Sequence, residues 1–548
     1  MKEEQKNLLL AMALSLIVII GWQYFYGPKP PAPRPPQTQT QPVAPGQPAP
    51  AGQTAQTTAP ATAQPATPGA APGVPAATAP GAPAITAPSV AAPRNRAAAL
   101  AQSPRVAINT PSLSGSIALR GGRIDDLQLK NYKETIKADS AIVTLLSPPG
   151  SPAPYYTETG FVSPDTALAL PRPDTLWTSN DRELAPGKPV TLTWDNGKGL
   201  VFKRVISVDD KFMFDVADSV ENKSGNPVTL HPYALVHRVG KPKTEGFYVL
   251  HEGLLGIVGD SKIQEITYDS IFKEKDNRRQ MKGTGGWLGI TDKYWATAII
   301  PSQSVPFDGR FWATPGTGAG ATAVPPSYQT DVLAPAMIVA DGANAEAAHR
   351  IFAGAKESKE IDDYQARYSI KNFDLMIDWG WFYFITKPLF YAIDFLYKYL
   401  GNFGFAILAI TVLIKLVFFP LANKSYESMA KMKAVQPQMQ ELQKRYENDK
   451  QKLQQELMAL YKREKINPIA GCWPILVQIP VFFALYKVIF TTIEMRQAPF
   501  FGWIRDLSAP DPTNIFNLFG LLPFDPGLWS PFLHMGAWPL IMGFTMWG

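Results

Sequence analysis

Two long apolar runs near the C-terminal end of the sequence constrain its fold more than any other feature. The first run, 403–421, contains Lys415 as its only charge, and the second run, 469–490, is similarly long. At about 1.5 Å per residue, a helix of either length crosses a hydrocarbon core of about 30 Å. The segment between them, 422–467, is too polar for lipid. The sequence therefore predicts two transmembrane helices joined by a hairpin of two helices outside the membrane.

Charge predicts the orientation of this hairpin. Segment 422–467 carries ten lysines and arginines, whereas the loop after the second run, 491–532, carries only Arg496 and Arg505. Basic residues collect on the cytoplasmic side of membrane proteins, so we expect the hairpin there. The same bias accounts for the formal net charge of +6 without nucleic-acid binding. Cys472 is the only cysteine, which excludes an intrachain disulfide.

The N-terminal region predicts a membrane anchor followed by a tether. Lys2 and Lys6 precede an apolar run at 8–20 and an aromatic cluster at 22–26. A cleaved signal peptide begins similarly, but the aromatic cluster favours an uncleaved anchor with its lysines in the cytoplasm. Residues 27–104 are rich in Pro, Ala, Thr, Gln and Gly, a composition that cannot offset the entropy of ordering, so we expect a flexible linker.

Segment 105–355 predicts a large β-sandwich on the far side of the membrane. Short β-branched and aromatic runs alternate there with turn signals such as Asp195-Asn196-Gly197 and Ser224-Gly225-Asn226-Pro227. The predicted strands include 105–109, 124–129, 141–146, 201–208, 212–220 and 295–300. His231, His237 and His251 could serve a sugar-processing site, but their spacing fits no metal or acid–base pattern and favours structural roles.

Segment 374–400 is unusually aromatic. Asp378, Lys387, Asp394 and Lys398 interrupt it, and Pro388 would kink a continuous helix. We interpret its first half as an amphipathic helix in the outer membrane interface, because these charges disfavour a further transmembrane helix.

The predicted hairpin has an apolar stripe on each arm. Spacings of three and four predict one helix face, and a turn is expected at Asn448-Asp449. The stripes are Met429, Met432, Val435, Met439, Leu442 and Tyr446 on the first arm, and Leu453, Leu457 and Leu460 beside Met458 on the second. The arms could pack these stripes together, or the flexible methionines could contact varied apolar partners.

Lys415 needs an explanation because a charge inside a transmembrane helix is costly. Its ammonium could simply extend to the cytoplasmic headgroups. Alternatively, Thr411 lies one turn earlier and Gln478 lies in the facing run, so three polar groups could share a wet cavity. Pro474 and Pro480 free backbone carbonyls, which fits such surroundings. A groove open to the cytoplasm would let Lys415 attract acidic, hydrophilic segments.

Short motifs in 374–512 give the sequence a resemblance to a known family. They are Asp378-Trp379-Gly380-Trp381, Lys387-Pro388-Leu389-Phe390, Gly401-Asn402-Phe403-Gly404-Phe405, Ser428-Met429-Ala430-Lys431-Met432-Lys433, Gln436-Pro437, Asn467-Pro468 with Gly471-Cys472, and Arg496-Gln497-Ala498-Pro499-Phe500. Together they resemble the YidC-Oxa-Alb family of membrane protein insertases, in its Gram-negative form with a large periplasmic domain. The anchor, linker and β-domain match that form in layout more than in motif.

The resemblance implies that the protein inserts and helps fold bacterial inner-membrane proteins, alone or with the Sec translocon. It implies a hydrophilic groove, a periplasmic β-super-sandwich resembling sugar mutarotases, and a cytoplasmic hairpin that helps recruit substrates or ribosomes. On that hairpin we expect Met429, Met432, Met439 and Met458 to be the contact residues. The implied partners are nascent membrane proteins, the Sec translocon, the ribosome and the lipid bilayer, without direct nucleic-acid specificity. No enzymatic activity, catalytic residue, cofactor or metal is expected.

By the same resemblance, Lys415 matches the basic position of the groove, with Thr411 and Gln478 beside it. The family usually has arginine there. Lysine keeps the charge but lacks the planar fork, so we expect attraction rather than bidentate pairing.

The expected fold class is a multi-domain membrane protein with an α-helical transmembrane core, a β-sandwich and a helical hairpin. The predicted parts are the anchor 1–26, linker 27–104, sandwich 105–355, connecting and interfacial helix 356–401, transmembrane helix 402–421, hairpin 422–467, transmembrane helix 468–490, periplasmic loop 491–532 and the start of a further helix at 533–548. The family has five core transmembrane helices after the β-domain, so we expect this chain to be truncated. A membrane-anchored mutarotase-like protein and a pore remain alternatives, whereas a Walker-type phosphate loop is absent.

Overall fold

The computed structural model describes residues 95–244, 250–318, 324–447, 449–464, 473–509, 513–519, 521–522, 524 and 536–547. The predicted N-terminal anchor, most of the predicted linker and Cys472 lie outside these residues. Within them, the chain forms a β-domain of two sheets followed by a helical region.

The first sheet contains eleven of the described strands. Their order is β14 (Arg278–Thr284), β17 (Pro306–Thr314), β18 (Ser327–Leu333), β11 (Val228–Val239), β5 (Tyr155–Val162), β3 (Arg123–Lys133), β2 (Leu113–Ala118), β1 (Arg105–Asn109) and β7 (Glu183–Leu184), with β4 (Ile142–Leu146) paired to β3 and β19 (Met337–Val339) paired to β11. Neighbouring strands are antiparallel apart from the short parallel pair of β1 and β7.

The second sheet contains nine of the described strands and is antiparallel. Its order is β13 (Gln264–Thr267), β12 (Gly253–Val258), β15 (Gly286–Thr291), β16 (Trp295–Ile300), β20 (Asn344–Ala355), β10 (Met213–Asn222), β9 (Leu200–Val208), β8 (Val190–Asp195) and β6 (Thr178–Ser179).

One continuous apolar core joins the two sheets and extends into the helices. Phe202, Phe311, Trp287 and Phe352 are almost fully buried in it. Burying a side chain of this kind stabilises the fold by roughly 1.5–3 kcal/mol relative to exposure. Strand β9 alternates buried and more exposed residues, as expected for a strand with one face on this core.

The prediction of a β-sandwich is confirmed, and the six example strands are all present. Strands β1 and β16 have the predicted bounds, and the predicted turns lie between β8 and β9 and between β10 and β11. In the first turn, Asp195 Oδ1 accepts a hydrogen bond from Gly197 N (2.8 Å), and Gly197 has a positive φ. This is the local chemistry on which the prediction rested.

Residues 95–104 differ from the linker that was predicted through position 104. Arg96–Leu100 forms helix α1, capped by Asn95, whose side chain accepts from Ala98 N (2.8 Å). Arg96 pairs with Asp126 of β3, and Ala99 is buried. These contacts give the segment the tertiary partners that its composition alone does not reveal.

Two helices follow the second sheet. Strand β20 ends at Ala355 and is followed by α2 at Ser358–Tyr368 and α3 at Tyr383–Leu400. The predicted amphipathic helix in the first half of 374–400 is therefore wrong in position. Gly380 has φ +73°, which a continuing right-handed helix does not allow, and regular helix starts only after it.

Helix α4 (Phe403–Arg445) is one continuous helix through the apolar run and into the polar segment, past Pro420 and Pro437. Within the described residues it is the one helix long and apolar enough to cross a membrane, by length and composition. Helix α5 (Lys450–Arg463) turns back on it, and Arg463 Nη2 donates to Gln438 Oε1 (2.9 Å). Two further apolar helices are α6 (Trp473–Thr491) and α7 (Ala537–Trp547).

Replacing Asp449 by alanine is expected to weaken the first turn of α5 by about 1 kcal/mol, because an N-cap acceptor is lost. Asp449 Oδ1 accepts from Lys452 N (3.0 Å). Amide hydrogen exchange in 450–454 should then accelerate about fivefold. Asp449→Asn keeps an acceptor oxygen and serves as the control, and equal exchange in both variants would contradict this role.

Candidate functional site

Helix α3 positions α4 and α6 on either side of a candidate groove. At its end, Tyr397 stacks on Phe403 of α4 with ring centroids 3.8 Å apart. Before its start, Phe382 contacts Phe483 of α6 edge-on, with centroids 5.7 Å apart. Phe390 and Ile393 are buried between these ends. The two apolar helices are thus held near each other mainly by their shared contacts with α3.

Lys415 extends from α4 toward α6. Its ammonium lies 5.6 Å from the ring centroid of Phe482. Lys415 follows Phe403 by twelve residues, or about 18 Å along α4, and Phe482 precedes Thr491 by nine residues, or about 14 Å along α6. Within the described residues Lys415 has no carboxylate partner. Its positive charge therefore faces α6, and no carboxylate among the described residues neutralises it.

Thr411 and Gln478 flank this contact differently. Thr411 is half-buried, and its hydroxyl donates a hydrogen bond to Ile407 O of the same helix (2.7 Å). Gln478 is half-buried and lies one turn before Phe482, the residue that Lys415 contacts. The structure therefore brings Lys415 to the face of α6 that carries Gln478. Sharing of a wet cavity by all three stays a prediction.

The four methionines of the hairpin divide into two pairs. Met429 and Met458 are exposed, at 46% and 55%. Met432 and Met439 are half-buried, and the Tyr461 hydroxyl of α5 donates to Met439 Sδ (3.7 Å). Met439 thus belongs to the contact between the arms, together with the buried Val435 and Leu460. Met429 and Met458 are available to other partners.

The rings of the three histidines singled out in the sequence lie near polar groups of the β-domain, and the backbone of His251 also contacts the segment before α3. His237 Nδ1 lies 3.3 Å from Gln329 Oε1, and burial lowers its pKa to about 4. His231 Nδ1 lies 3.3 Å from Ala334 O. His251 donates its backbone N–H to Asp378 Oδ2 (2.9 Å). Among the residues that the structure describes, no group of three or more His, Cys, Asp or Glu side chains could bind a metal.

Sequence reasoning missed the buried lysine of α6. Lys487 is 3% exposed, and its ammonium lies 2.7 Å from Asp378 Oδ1, in the segment just before α3. Gly380 makes room for it, because a Cβ there would lie 2.7 Å from Lys487 Cε. The available signal was the one that singled out Lys415, a lysine inside an apolar run. This ion pair ties α6 to the β-domain through Asp378 and His251.

The segment after α6 contacts the β-domain a second time. Arg496 Nη2 donates to Lys133 O (2.6 Å), and its guanidinium lies 5.1 Å from the ring of Trp295. Glu494 Oε1 accepts from Ser358 N (2.9 Å), the first residue of α2. Burial raises the pKa of Glu494 to about 7, although the hydrogen bond from Ser358 opposes that shift. The helical region and the β-domain are therefore joined by polar contacts as well as by the core.

The stability of this junction is expected to fall as pH rises from about 5 to about 7. The pKa of Glu494 is raised in the folded protein above that of an unfolded glutamate, so the folded state binds more protons across this range. The stability contributed by protonated Glu494 is fully present below the pKa of an unfolded glutamate. It is lost as the pH rises through about 7, the pKa of Glu494 in the folded protein. The thermal midpoint should drop by a few degrees.

Glu494→Gln should remove the pH dependence of Glu494, because the amide does not titrate. The charged and titratable groups around it are Glu357, Tyr132, Tyr391 and Arg496, and the two tyrosines and the arginine keep their protonation states between pH 5 and pH 7. An unchanged pH profile in Glu494→Gln would contradict the assignment of the effect to Glu494.

Comparison with known proteins gives matches along the whole chain. The family described as "YidC periplasmic domain" matches residues 105–392, and the family described as "60Kd inner membrane protein" matches residues 395–548. A protein named membrane protein insertase YidC from Beijerinckia indica subsp. indica is 56% identical, over 100% of this chain and 87% of its own length. Proteins of the same name from Methylorubrum extorquens (strain PA1) and Rhizobium meliloti (strain 1021) are 54% and 50% identical, over 100% and 99% of this chain and 86% of their own lengths.

Two solved structures match part of the chain. A galactose mutarotase related enzyme from Lactobacillus acidophilus is 9% identical, with 45% of this chain and 97% of that chain covered and a TM-score of 0.30. A putative aldose 1-epimerase from Escherichia coli K12 is 9% identical, with 46% and 99% covered and a TM-score of 0.29.

Proposed function

This chain belongs to the YidC family of membrane protein insertases, and from that premise we propose that its substrates enter the membrane through a groove between α4 and α6 whose positive charge is Lys415. The position of the Lys415 ammonium carries the proposal. It lies over Phe482 of the neighbouring helix, about 18 Å from the start of α4, and has no acidic partner among the described residues.

An uncompensated charge at this depth attracts acidic segments strongly. Two opposite charges about 5 Å apart gain roughly 3 kcal/mol at an effective dielectric constant of 20. Placing an acidic residue at the centre of a transmembrane helix costs about 2.5–3.5 kcal/mol on insertion scales. The attraction therefore offsets much of the cost of moving an acidic, hydrophilic tail into the membrane. Thr411 and Gln478 would keep water in the groove beside it.

The proposed topology has several transmembrane helices. Helix α4 is long and apolar enough to cross a membrane, and residues 476–491 of α6 form a shorter apolar helix. Many side chains in the apolar part of α4 are exposed within the described structure, including Leu408, Val412 and Val417. A lipid environment would cover them. If the basic hairpin 422–467 lies in the cytoplasm, the β-domain lies on the periplasmic side of a bacterial inner membrane.

The hairpin is proposed to recruit substrates. Met429 and Met458 are exposed apolar side chains on opposite arms, and flexible thioethers suit varied apolar partners. Basic residues around them would attract acidic segments or the ribosome. Cooperation with the Sec translocon belongs to the same proposal and rests on family resemblance alone.

A reconstitution experiment tests the proposed function. The full-length protein in liposomes should insert a single-span protein with an acidic tail, measured as protection from added protease. Empty liposomes and liposomes with heat-treated protein are the controls. Protection no greater than in the controls would contradict insertase activity. Ion conductance in planar bilayers without substrate would instead favour the pore, and turnover of a free sugar would favour the mutarotase-like alternative.

A further inference from the structure

A cavity of about 930 Å³ lies at the junction of the β-domain, the segment before α3 and helix α6. Its size is that of a small-ligand pocket. The charged side chains of its wall are unbalanced, with two lysines facing four carboxylates: Lys241, Lys487, Glu252, Glu265, Asp269 and Asp378. Lys241 pairs with Asp269 (2.6 Å), and Lys487 pairs with Asp378 (2.7 Å). Glu252 accepts a hydrogen bond from Lys293 N (3.2 Å).

Glu265 is the remaining carboxylate, and within the described residues it has no basic partner. Its side chain is exposed as a whole, yet desolvation in the cavity wall raises the pKa of its carboxyl. The nearby Asp378 raises that pKa further, and Lys487 opposes the shift. A cation entering the cavity would relieve both effects, so the electrostatics favour a positively charged group beside Glu265.

Aromatic rings line the same cavity and suit an ammonium group. Tyr268, Trp379, Trp381 and Tyr383 contribute to the wall, and Trp381 is 82% exposed. A cation over such a ring gains about 0.5–1 kcal/mol at an exposed site. The wall therefore offers the Glu265 carboxylate and the exposed ring of Trp381 to the same charge.

The cavity also reaches down along α6. Lys487 and Phe483 precede the end of α6 at Thr491 by four and eight residues, or about 6 and 12 Å. If α6 crosses the membrane as proposed above, this is the boundary between headgroups and acyl chains of the outer leaflet. Phospholipids are the amphipathic molecules that are abundant at that level of the membrane.

We propose that the cavity binds the headgroup of an outer-leaflet phospholipid that carries a primary ammonium and a phosphate diester, of the phosphatidylethanolamine class. The ammonium lies between Glu265 and Trp381. The acyl chains leave past Phe483. The placement in the outer leaflet rests on the proposed function, whereas the recognition of the ammonium and phosphate does not.

The pair of Lys241 and Asp269 at the rim supplies the partner for the phosphate. Both side chains are well exposed, at 39% and 73%, so their ion pair contributes little to stability. Lys241 can therefore exchange Asp269 for a phosphate at small cost. The deeper pair of Lys487 and Asp378 is buried and stays intact.

Native mass spectrometry of the full-length protein in detergent tests the proposal by titration with dioleoyl phosphatidylethanolamine. Dioleoyl phosphatidylglycerol shares the tails and the phosphate but lacks the ammonium, and glycerophosphoethanolamine has the headgroup without tails. Phosphatidylethanolamine should bind at one site more tightly than either. Glu265→Lys should weaken its binding about tenfold and Trp381→Ala about threefold.

Matched variants separate the site from general effects on charge and surface. Glu346→Lys makes the same charge change on β20, and Trp503→Ala removes an exposed tryptophan outside the cavity. Neither should change the binding. Equal binding of phosphatidylethanolamine and phosphatidylglycerol would overturn the proposal. So would binding of phosphatidylethanolamine to Glu265→Lys that is as tight as to the wild type. Equal binding of glycerophosphoethanolamine would overturn a lipid as the occupant.

Insertion by the same protein, measured separately in liposomes, shows whether the proposed function holds independently. Normal insertion without preferential binding of phosphatidylethanolamine would overturn only the lipid site. Normal thermal midpoints of the variants exclude misfolding as the cause of lost binding.

Discussion

Replacing Lys415 by glutamate is expected to lower the insertion of a single-span protein with an acidic tail by at least about tenfold. The substitution turns an attraction of roughly 3 kcal/mol into a repulsion, and each 1.4 kcal/mol corresponds to a factor of ten. Lys415→Arg keeps the charge and should insert nearly as well as the wild type. Lys415→Ala should lie between them. Protease protection in liposomes gives the rate for each variant.

The substrate's own charge provides the decisive control for Lys415. When the acidic residues of the tail are neutralised, the differences between the three variants should shrink. Lys424→Glu changes an exposed lysine later on α4, beyond the predicted transmembrane helix, and should have a smaller effect. If Lys415→Ala and Lys415→Glu both insert normally, Lys415 only extends to the headgroups, and insertion depends on other parts of the protein.

The β-domain could be predicted because its signals are local. Alternating apolar residues and turn chemistry depend on neighbours a few residues away, as in β9 and in the Asp195-Asn196-Gly197 turn. The family motifs could also be recognised in the sequence, but the contacts that require those residues could not be predicted from it. A Cβ at Gly404 would lie 2.0 Å from the ring of Phe500, and Asn402 Nδ2 donates to Phe500 O (3.0 Å). These contacts join segments far apart in sequence.

The start of α3 and the role of Lys487 could not be predicted for the same reason. Propensity places helix from Asp374 onward, but Asp378 is engaged by His251 N and Lys487 Nζ, and Gly380 turns the chain. Tertiary contacts override local preference there. For the groove, the sequence supplied Lys415 and the facing helix, and the structure adds Phe482 as the residue that Lys415 contacts.

Lys487→Met is expected to destabilise the junction between α6 and the β-domain by about 3 kcal/mol. The substitution leaves the Asp378 carboxylate without its cation in a mostly buried site, and removing one partner of a buried ion pair typically costs about 3–5 kcal/mol. Asp378 keeps the hydrogen bonds from His251 N (2.9 Å) and Gly380 N (3.1 Å), which places the expected value at the lower end. Thermal unfolding in detergent, followed by tryptophan fluorescence, measures the loss.

A double-mutant cycle separates the ion pair from packing. Asp378→Asn keeps an acceptor for His251 N, so the combination with Lys487→Met should recover more than about 1 kcal/mol relative to the sum of the single effects. The exposed pair of Lys398 and Asp394 on α3 is the matched control, and Lys398→Met should cost less than about 0.5 kcal/mol. Strict additivity at Asp378 and Lys487 would show that the two charges do not stabilise each other, and the junction would then depend on the apolar core and on Arg496.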